Sequence, residues 1–141
     1  MSQRHAIRLR GPWWGVASRD GDREVTATIE KNEARFKTTI PFVWSEQIPS
    51  DFTGTVGLLR KFNGSAGMSE ADEVWLTISS LAVTAEIHFN GSLIGQYNPR
   101  ERVEFAISKL LKPFNELLIM LKVGGESTIV LVGDVSIEIA Q

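Results

Sequence analysis

Side chains suited to binding hydroxyl groups lie close together in one short polar segment. Tyr97 is followed by Asn98, Arg100 and Arg102. An aromatic ring can stack on the apolar C–H face of a sugar ring, and amide or guanidinium groups can donate hydrogen bonds to hydroxyls or carboxylates. We therefore predict ligand-binding roles for Tyr97, Asn98 and Arg100. The alternative is a polar loop in which Pro99 sets a turn.

Four tryptophans give the chain further aromatic surfaces. Trp13 and Trp14 are adjacent in sequence, so on a strand their side chains would point to opposite faces of the sheet. Large aromatic side chains also fill cores, so one member of such a pair is expected inside. Trp14 is the surface candidate for stacking on a ligand, with a strand edge or a dimer contact as the alternative.

His88 is a third candidate for ligand binding. It lies between Ile87 and Phe89 in an alternating stretch, so its side chain faces away from that apolar pair. There it could hydrogen-bond a sugar hydroxyl, whereas a solvated or cross-strand histidine is the alternative. Because His5 is the only other histidine, neither a histidine-rich metal site nor a Ser-His-Asp triad is indicated.

Two acidic segments, Asp20-Gly21-Asp22 and Glu70-Ala71-Asp72-Glu73, carry the oxygen ligands that Ca²⁺ prefers. Neither has the spacing of an EF-hand loop, so turns and solvated charges are the favoured interpretation. The chain contains no cysteine, which excludes disulfides, thiolate catalysis and zinc sites with cysteine ligands. We expect no metal and no cofactor.

The length of 141 residues predicts a single domain over residues 1–141, without room for a second, catalytic domain. No pair of carboxylates stands out as the acid and base of a hydrolase, so no enzymatic activity is expected. The formal net charge is −2, and the chain has no run of Lys or Arg. Nucleic acid is therefore not an expected partner.

The amino-terminal residues Met1 to Arg10 lack the apolar segment of a secretory signal. No apolar run approaches the length needed to cross a bilayer, so no membrane partner is expected. We predict a soluble cytoplasmic protein. The alternative is a mature secreted domain whose signal has been removed.

Alternating apolar and polar residues predict a chain of short strands joined by turns. Val25–Ile29 and Phe36–Ile40 are expected to form one hairpin. Ala85–Gly95 is expected to form another, because Asn90-Gly91 supplies two residues that tolerate the positive φ of a type I′ turn. After Gly124-Gly125, Thr128–Val132 and Val135–Ile139 are expected to form two separate strands. About nine or ten such strands, with no long amphipathic helix, predict an all-β sandwich or barrel.

Several motifs also follow one another in a characteristic order: Arg10-Gly11-Pro12-Trp13, Pro41-Phe42-Val43-Trp44, Gly57–Phe62, Val74–Ile78, Ala85–Gly95, Val103–Lys112, Asn115–Val123 and Gly133–Ile139. Together they resemble the amino-terminal sugar-binding domain of glycoside hydrolase family 2 enzymes, a jelly-roll β-sandwich of the galactose-binding-like superfamily. The resemblance extends over nearly the whole chain from about Leu9. Its most specific part is the Asn90-Gly91-x-x-x-Gly95 hairpin followed by the strand that starts at Asn115.

The resemblance implies a fold, a non-catalytic role, and structural positions for Trp13 and Trp44. In the family enzymes the catalytic carboxylates lie on a separate (β/α)8 barrel, which has no counterpart in this sequence. Two departures from the family pattern are clear. Leu59 stands where the family usually has an aromatic residue, and the segment after the hairpin shrinks to Gln96–Arg102.

Two functions remain open after these observations. The first is a non-catalytic carbohydrate-binding domain that uses Trp14, His88 and the Tyr97–Arg100 segment. The second is a structural or protein-interaction domain, acting as a homodimer or accessory subunit, that has lost the sugar site. The shortened Gln96–Arg102 segment favours the second.

Overall fold

The computed structural model of the chain describes residues 4–19, 22–30, 36–43, 52–64, 73–124 and 130–140. Within these ranges the chain forms eleven strands, one α-helix and one short 3₁₀ helix. In chain order they are β1 (Arg4–Arg8), β2 (Trp13–Ser18), α1 (Asp22–Glu30), β3 (Phe36–Thr38), β4 (Phe42–Val43), β5 (Thr53–Asn63), β6 (Glu73–Leu81), β7 (Thr84–Phe89), β8 (Ser92–Tyr97), β9 (Arg100–Ala106), the 3₁₀ helix (Ser108–Leu110), β10 (Phe114–Gly124) and β11 (Val130–Ala140). Neither described helix is long and apolar enough to span a membrane.

The strands form two antiparallel sheets that pack face to face. The first sheet has the order β1-β11-β6-β9, with β4 also paired to β11. The second has the order β3-β2-β5-β10-β7-β8. In the second sheet β10 pairs with β5 along its whole length and with β7 on its other side. This arrangement confirms the predicted all-β sandwich.

The core lies between the sheets and is built from one face of each strand. Ile87 and Phe89 of β7 and Leu117 and Ile119 of β10 are fully buried there, because alternate residues of a strand point the same way. Trp13 is also fully buried, and its Nε1 donates a hydrogen bond to the Leu9 carbonyl oxygen at 2.7 Å. The structural position implied for Trp13 is therefore confirmed, whereas Trp44 lies outside the described residues.

The predicted hairpin of Val25–Ile29 with Phe36–Ile40 is wrong. The first segment lies in helix α1, and the second contributes the short strand β3, which pairs with β2. Val25 and Ile29 are four residues apart, so the alternating pattern fits one face of a helix as well as one face of a strand. Tertiary packing decides between them, because α1 lies over β2 and β5 and buries Val25 completely.

The end of the chain differs from expectation in a smaller way. Two strands were predicted around Gly133, but β11 runs through it without interruption. A Cβ at Gly133 would lie 2.7 Å from the Ser80 Cβ. This glycine therefore allows β11 and β6 to approach closely, where the sequence pattern suggested a turn.

Candidate functional site

Asn90 joins the β7–β8 turn to the start of β10. Asn90 and Gly91 have φ angles of 51° and 85°, as the predicted type I′ turn requires. Asn90 Nδ2 donates to the Leu110 carbonyl oxygen at 2.8 Å and to Asn115 Oδ1 at 3.1 Å. Asn90 Oδ1 accepts a hydrogen bond from the Glu116 N–H at 2.8 Å. The side chain thus fixes the hairpin to a neighbouring strand as well as shaping the turn.

Asn115 completes this link from the inner side of β10. Its side chain is only 1% exposed. Asn115 Oδ1 accepts from the Lys112 N–H, and Asn115 Nδ2 donates to the Lys112 carbonyl oxygen, both at 2.9 Å. Because the amide satisfies both backbone groups of Lys112, it holds the segment that leads into β10 in one conformation.

These bonds shape one wall of an open cavity with a volume of about 770 Å³. We call it the hairpin cavity. Its lining includes the side chains of Arg60, Lys61, Asn63, Lys112, Phe114 and Glu116.

Phe114 is the exposed one of two phenylalanines that line the hairpin cavity, the other being the half-buried Phe62. With 77% of its surface exposed, it is the most exposed large apolar side chain among the described residues. Asn115 points into the sandwich, so Phe114, as its neighbour on β10, must point out. An outward ring beside amide and cationic donors is a suitable platform for a sugar ring.

The charged groups of the hairpin cavity are mostly cationic. Lys61 Nζ and Glu116 Oε1 lie 3.5 Å apart on paired positions of β5 and β10. Arg60 Nη1 donates to the Lys61 carbonyl oxygen at 2.9 Å. Arg60 Nε is buried and has no hydrogen-bond partner in the described part of the chain. The cavity therefore combines several hydrogen-bond donors with one carboxylate.

Trp14 and His88 lie on the outer face of the second sheet. Trp14 is 40% exposed, and Lys37 Nζ lies 5.9 Å from the centre of its ring. The pairs Trp14–Leu59, Leu59–Leu118 and Leu118–His88 place the two candidates in one row across four strands. Three strand spacings correspond to about 14 Å, so two leucines separate them.

His88 has an acidic neighbour on its own strand. Its Nε2 lies 3.6 Å from Glu86 Oε1, which is beyond hydrogen-bonding distance. The same Nε2 is buried and has no hydrogen-bond partner in the residues the structure describes. The histidine is thus partly covered and does not project freely from the sheet.

Tyr97 faces the opposite side of the second sheet. It pairs with the buried Ala85, and its ring packs edge-on against Phe105 of β9 at a centroid distance of 5.4 Å. The Arg100 guanidinium lies 5.0 Å from the Tyr97 ring. Tyr97 and Phe105 therefore close the gap between the edge strands of the two sheets, and Arg100 covers them from outside.

The predicted Gln96–Arg102 loop is mostly strand. β8 ends at Tyr97 and β9 begins at Arg100, so only Asn98 and Pro99 connect them. Asn98 is exposed and lines a shallow depression of about 390 Å³ together with Tyr97 and Glu86. Tyr97, Asn98 and Arg100 are therefore neighbours, but the structure does not bring Trp14 or His88 to them.

Sequence reasoning missed Phe114 and Lys112 as candidate binding residues. The sequence did indicate that Phe114 faces outward, because alternation along the strand puts it on the same face as the charged residues Glu116 and Lys122. Among the described residues no group of three or more acidic or histidine side chains could hold a metal ion. Of the acidic segments for which turns and solvated charges were favoured over Ca²⁺ binding, Asp20 and residues 70–72 lie outside the described ranges.

The outer face of the first sheet carries an ion-pair network. Arg4 Nη1 lies 2.6 Å from Glu104 Oε1 and 2.9 Å from Glu138 Oε2. Arg102 Nη2 lies 3.2 Å from the same oxygen of Glu104. The hydrogen bond from Arg4, assisted by Arg102, holds the pKa of the Glu104 carboxyl below its ordinary value.

The chain matches no protein-family model and no curated protein sequence. It is similar in structure to a β-glucuronidase from Ruminococcus gnavus, with a TM-score of 0.79 and 14% identity over 96% of this chain and 29% of that chain. A β-glucuronidase from Bifidobacterium dentium gives a TM-score of 0.77 and 13% identity over 96% of this chain and 30% of that chain. A proposed β-galactosidase from Bacteroides fragilis gives a TM-score of 0.74 and 15% identity over 96% of this chain and 23% of that chain.

The chain thus spans less than a third of the length of these similar structures. At such low identity the likeness concerns the fold alone. It confirms the fold class that the order of sequence motifs predicted: a β-sandwich of the kind found as one part of larger β-glucuronidase and β-galactosidase chains.

Proposed function

We propose that this chain is a non-catalytic domain of the glycoside hydrolase type and that it binds a carbohydrate in the hairpin cavity. The similar structures are β-glucuronidases and a proposed β-galactosidase, and the chain corresponds to only a part of each. A domain that accompanies such enzymes would act by holding a saccharide rather than by cleaving it.

One observation carries the proposal: the exposure of Phe114 beside the donors of the hairpin cavity. A phenyl ring that is 77% exposed gains little from folding, because most of its apolar surface stays in water. Stacking on the C–H face of a sugar would bury that surface. Arg60, Lys112 and Asn63 lie around the same cavity and would donate hydrogen bonds to hydroxyl groups.

The same cavity supports a binding role rather than a hydrolytic one. Hydrolysis of a glycosidic bond ordinarily uses two carboxyl groups that face each other across the scissile bond. Glu116 is the one carboxylate in the described lining of the hairpin cavity, and it already faces Lys61 at 3.5 Å. This arrangement supplies no acid–base pair.

A second location for the saccharide is the depression lined by Tyr97 and Asn98. It is smaller, and the Tyr97 ring is already covered by Phe105 and Arg100. Trp14 offers an exposed ring on another part of the sheet. These sites stand as alternatives to the hairpin cavity, and single substitutions separate them.

Isothermal titration calorimetry tests the proposal with a panel of neutral and acidic mono- and oligosaccharides, including galactosides and glucuronides. We expect binding heat with the intact chain, loss of that heat in Phe114→Ala, and retention in Phe114→Tyr, which keeps the aromatic face. Trp14→Ala and Asn98→Ala serve as matched surface variants and should bind normally. An absence of heat with every sugar at millimolar concentration, or loss of binding only in Trp14→Ala or Asn98→Ala, would overturn the assignment.

A further inference from the structure

The edge strands of the two sheets differ in how they are protected against pairing with another chain. β1 and β9 end the first sheet, in which the two-residue β4 also pairs only with β11, and β3 and β8 end the second. Natural proteins protect such edges with charges, proline, short strands or bulges. β3 has only three residues. β1 and β9 carry charged or titratable residues, namely Arg4, His5, Arg8, Arg100, Glu101, Arg102 and Glu104.

β8 is not protected by charged residues, by proline or by a short length. Its sequence Ser-Leu-Ile-Gly-Gln-Tyr contains no charged residue and no proline, and it extends over six residues. Leu93 is 50% exposed at this edge. An uncharged, apolar edge strand of this length can accept a further strand by main-chain hydrogen bonding.

β8 contains a bulge, and the bulge changes which way its side chains face. Ile87 pairs with Gly95 while the next residue, His88, pairs with Leu93, so Ile94 is the additional residue. Leu93 and Gln96 lie opposite the outward His88 and Glu86. The remaining residues of β8 face the sandwich, because Ser92 and Tyr97 pair with the buried Phe89 and Ala85 and Ile94 packs against the core.

Along β8 the side chains of Leu93 and Gln96 therefore face outward, and the other four residues face the sandwich. This pattern is the same when β8 is followed from either end. In an antiparallel pair, residues directly opposite each other must lie on the same face of the sheet. In a regular strand of six residues the side chains alternate strictly between the two faces, so the first and last side chains face opposite sides. Such a strand cannot match the facing of the β8 side chains along its whole length. A second β8 can, because Ser92 then meets Tyr97, Leu93 meets Gln96 and Ile94 meets Gly95.

The main-chain N–H and C=O groups of β8 also favour the register in which Leu93 of one copy lies opposite Gln96 of the other. Pairs next to a two-residue turn alternate between hydrogen-bonded and non-hydrogen-bonded positions, starting with the hydrogen-bonded pair Phe89–Ser92. Leu93 and Gln96 fall on the non-hydrogen-bonded positions relative to β7, so their N–H and C=O groups point to the free edge. Opposite each other across a two-fold axis, these two residues would exchange hydrogen bonds.

We propose that two copies of this chain associate through β8, with Leu93 of one copy opposite Gln96 of the partner subunit. The two six-stranded sheets would then form one continuous antiparallel sheet. A pair of six-residue strands buries less surface than the roughly 1,000 Å² of a stable interface, so the dimer is expected to be weak. This association is independent of carbohydrate binding, because Phe114 and the hairpin cavity lie at the start of β10.

Sedimentation velocity from micromolar to millimolar concentration tests the proposal. The intact chain should shift from one-chain to two-chain mass as concentration rises. Leu93→Lys and Gln96→Glu should each remain at one-chain mass, because a charge on the free edge strand opposes pairing with a second chain. Ala106→Lys, at an exposed position on the edge strand β9, is the matched control and should dimerise like the intact chain.

An equimolar mixture of Leu93→Lys and Gln96→Glu should recover the two-chain mass, since the two introduced charges have opposite signs and lie directly opposite each other in this register. Circular dichroism of each variant verifies that it is folded. An intact chain that keeps one-chain mass at millimolar concentration would overturn the proposal. Unchanged dimerisation of both single variants, or a mixture that stays monomeric while the intact chain dimerises, would likewise exclude β8 pairing in this register.

Discussion

Asn90 Nδ2 donates a hydrogen bond to Asn115 Oδ1 at 3.1 Å and thereby connects the β7–β8 turn with the entry to β10. The bond joins two residues that are distant in sequence and that the family resemblance singled out together. Since Asn115 is drawn into the sandwich, its neighbour Phe114 is turned outward to the hairpin cavity. A structural amide pair thus positions the side chain that we propose for ligand binding.

Asn115→Ala should lower the free energy of unfolding by about 2–3 kcal/mol, because it leaves the backbone groups of Lys112 without their buried partner. Urea denaturation measures the change. Asn63→Ala, at an exposed asparagine on the paired strand β5, is the matched control and should change stability by less than about 0.5 kcal/mol. Equal effects of the two substitutions would contradict the structural role of Asn115.

Gly91→Val should destabilise the chain by about 1 kcal/mol or more, because Gly91 has a φ of 85° that a β-branched residue tolerates poorly. Apart from Gly91 itself and its two chain neighbours, no heavy atom lies within 4 Å of a Cβ built at Gly91, so a clash with the rest of the structure does not contribute to the loss. Gly91→Asn adopts positive φ more easily and should lose less. Thermal unfolding of the two variants compares them, and an equal loss would argue against backbone conformation as the cause.

Gly95→Ala should displace the Tyr97 ring, because a Cβ there would lie 2.6 Å from Tyr97 Cε2 and 2.6 Å from Phe105 Cζ. Overpacking of this kind costs about 1–3 kcal/mol. In the background of Tyr97→Ala the same substitution should cost less, since part of the obstruction is gone. A double-mutant cycle by chemical denaturation measures this coupling, and strictly additive effects would show that the two residues do not compete for space.

Glu104→Gln should lower the melting temperature at neutral pH but not in acid. Arg4 holds the pKa of Glu104 below its ordinary value, so the charged carboxylate contributes stability above its pKa in the unfolded chain. That contribution is lost as the pH falls through the lower pKa of the folded state. Glu101→Gln on the same strand is the control. If the melting temperature of Glu104→Gln stays below that of the intact chain in acid as well, the result would contradict the ion-pair explanation.

The hairpin and the sandwich could be predicted because their signals are local. Asn90-Gly91 determines its turn by backbone conformation alone, and the parity of Ile87, Phe89, Leu117 and Ile119 identifies the buried face of each strand. Both features depend on residues that are close together in sequence. Both features can therefore be predicted from the sequence without knowledge of the assembled fold.

Helix α1 and the candidate site could not be predicted in the same way. Val25 and Ile29 fit a strand and a helix equally, and only the packing of α1 over β2 and β5 decides between them. Trp14 and His88 lie on strands as expected, whereas Tyr97 ends strand β8 and does not lie in a loop. Strand order and the facing of each sheet determine that Tyr97 closes the sandwich edge while Trp14 lies outside. Those relationships arise from tertiary assembly.

The most direct test of carbohydrate binding is a ¹H–¹⁵N correlation spectrum of the isotope-labelled chain, recorded while a saccharide from the panel is added. We predict concentration-dependent shifts centred on the backbone amides of Asn63, Lys112 and Phe114, with little change at Asn98, Arg100 and Trp14. A spectrum that does not respond to any saccharide, or shifts confined to the Tyr97–Arg100 segment, would contradict the assignment of the hairpin cavity as the binding site.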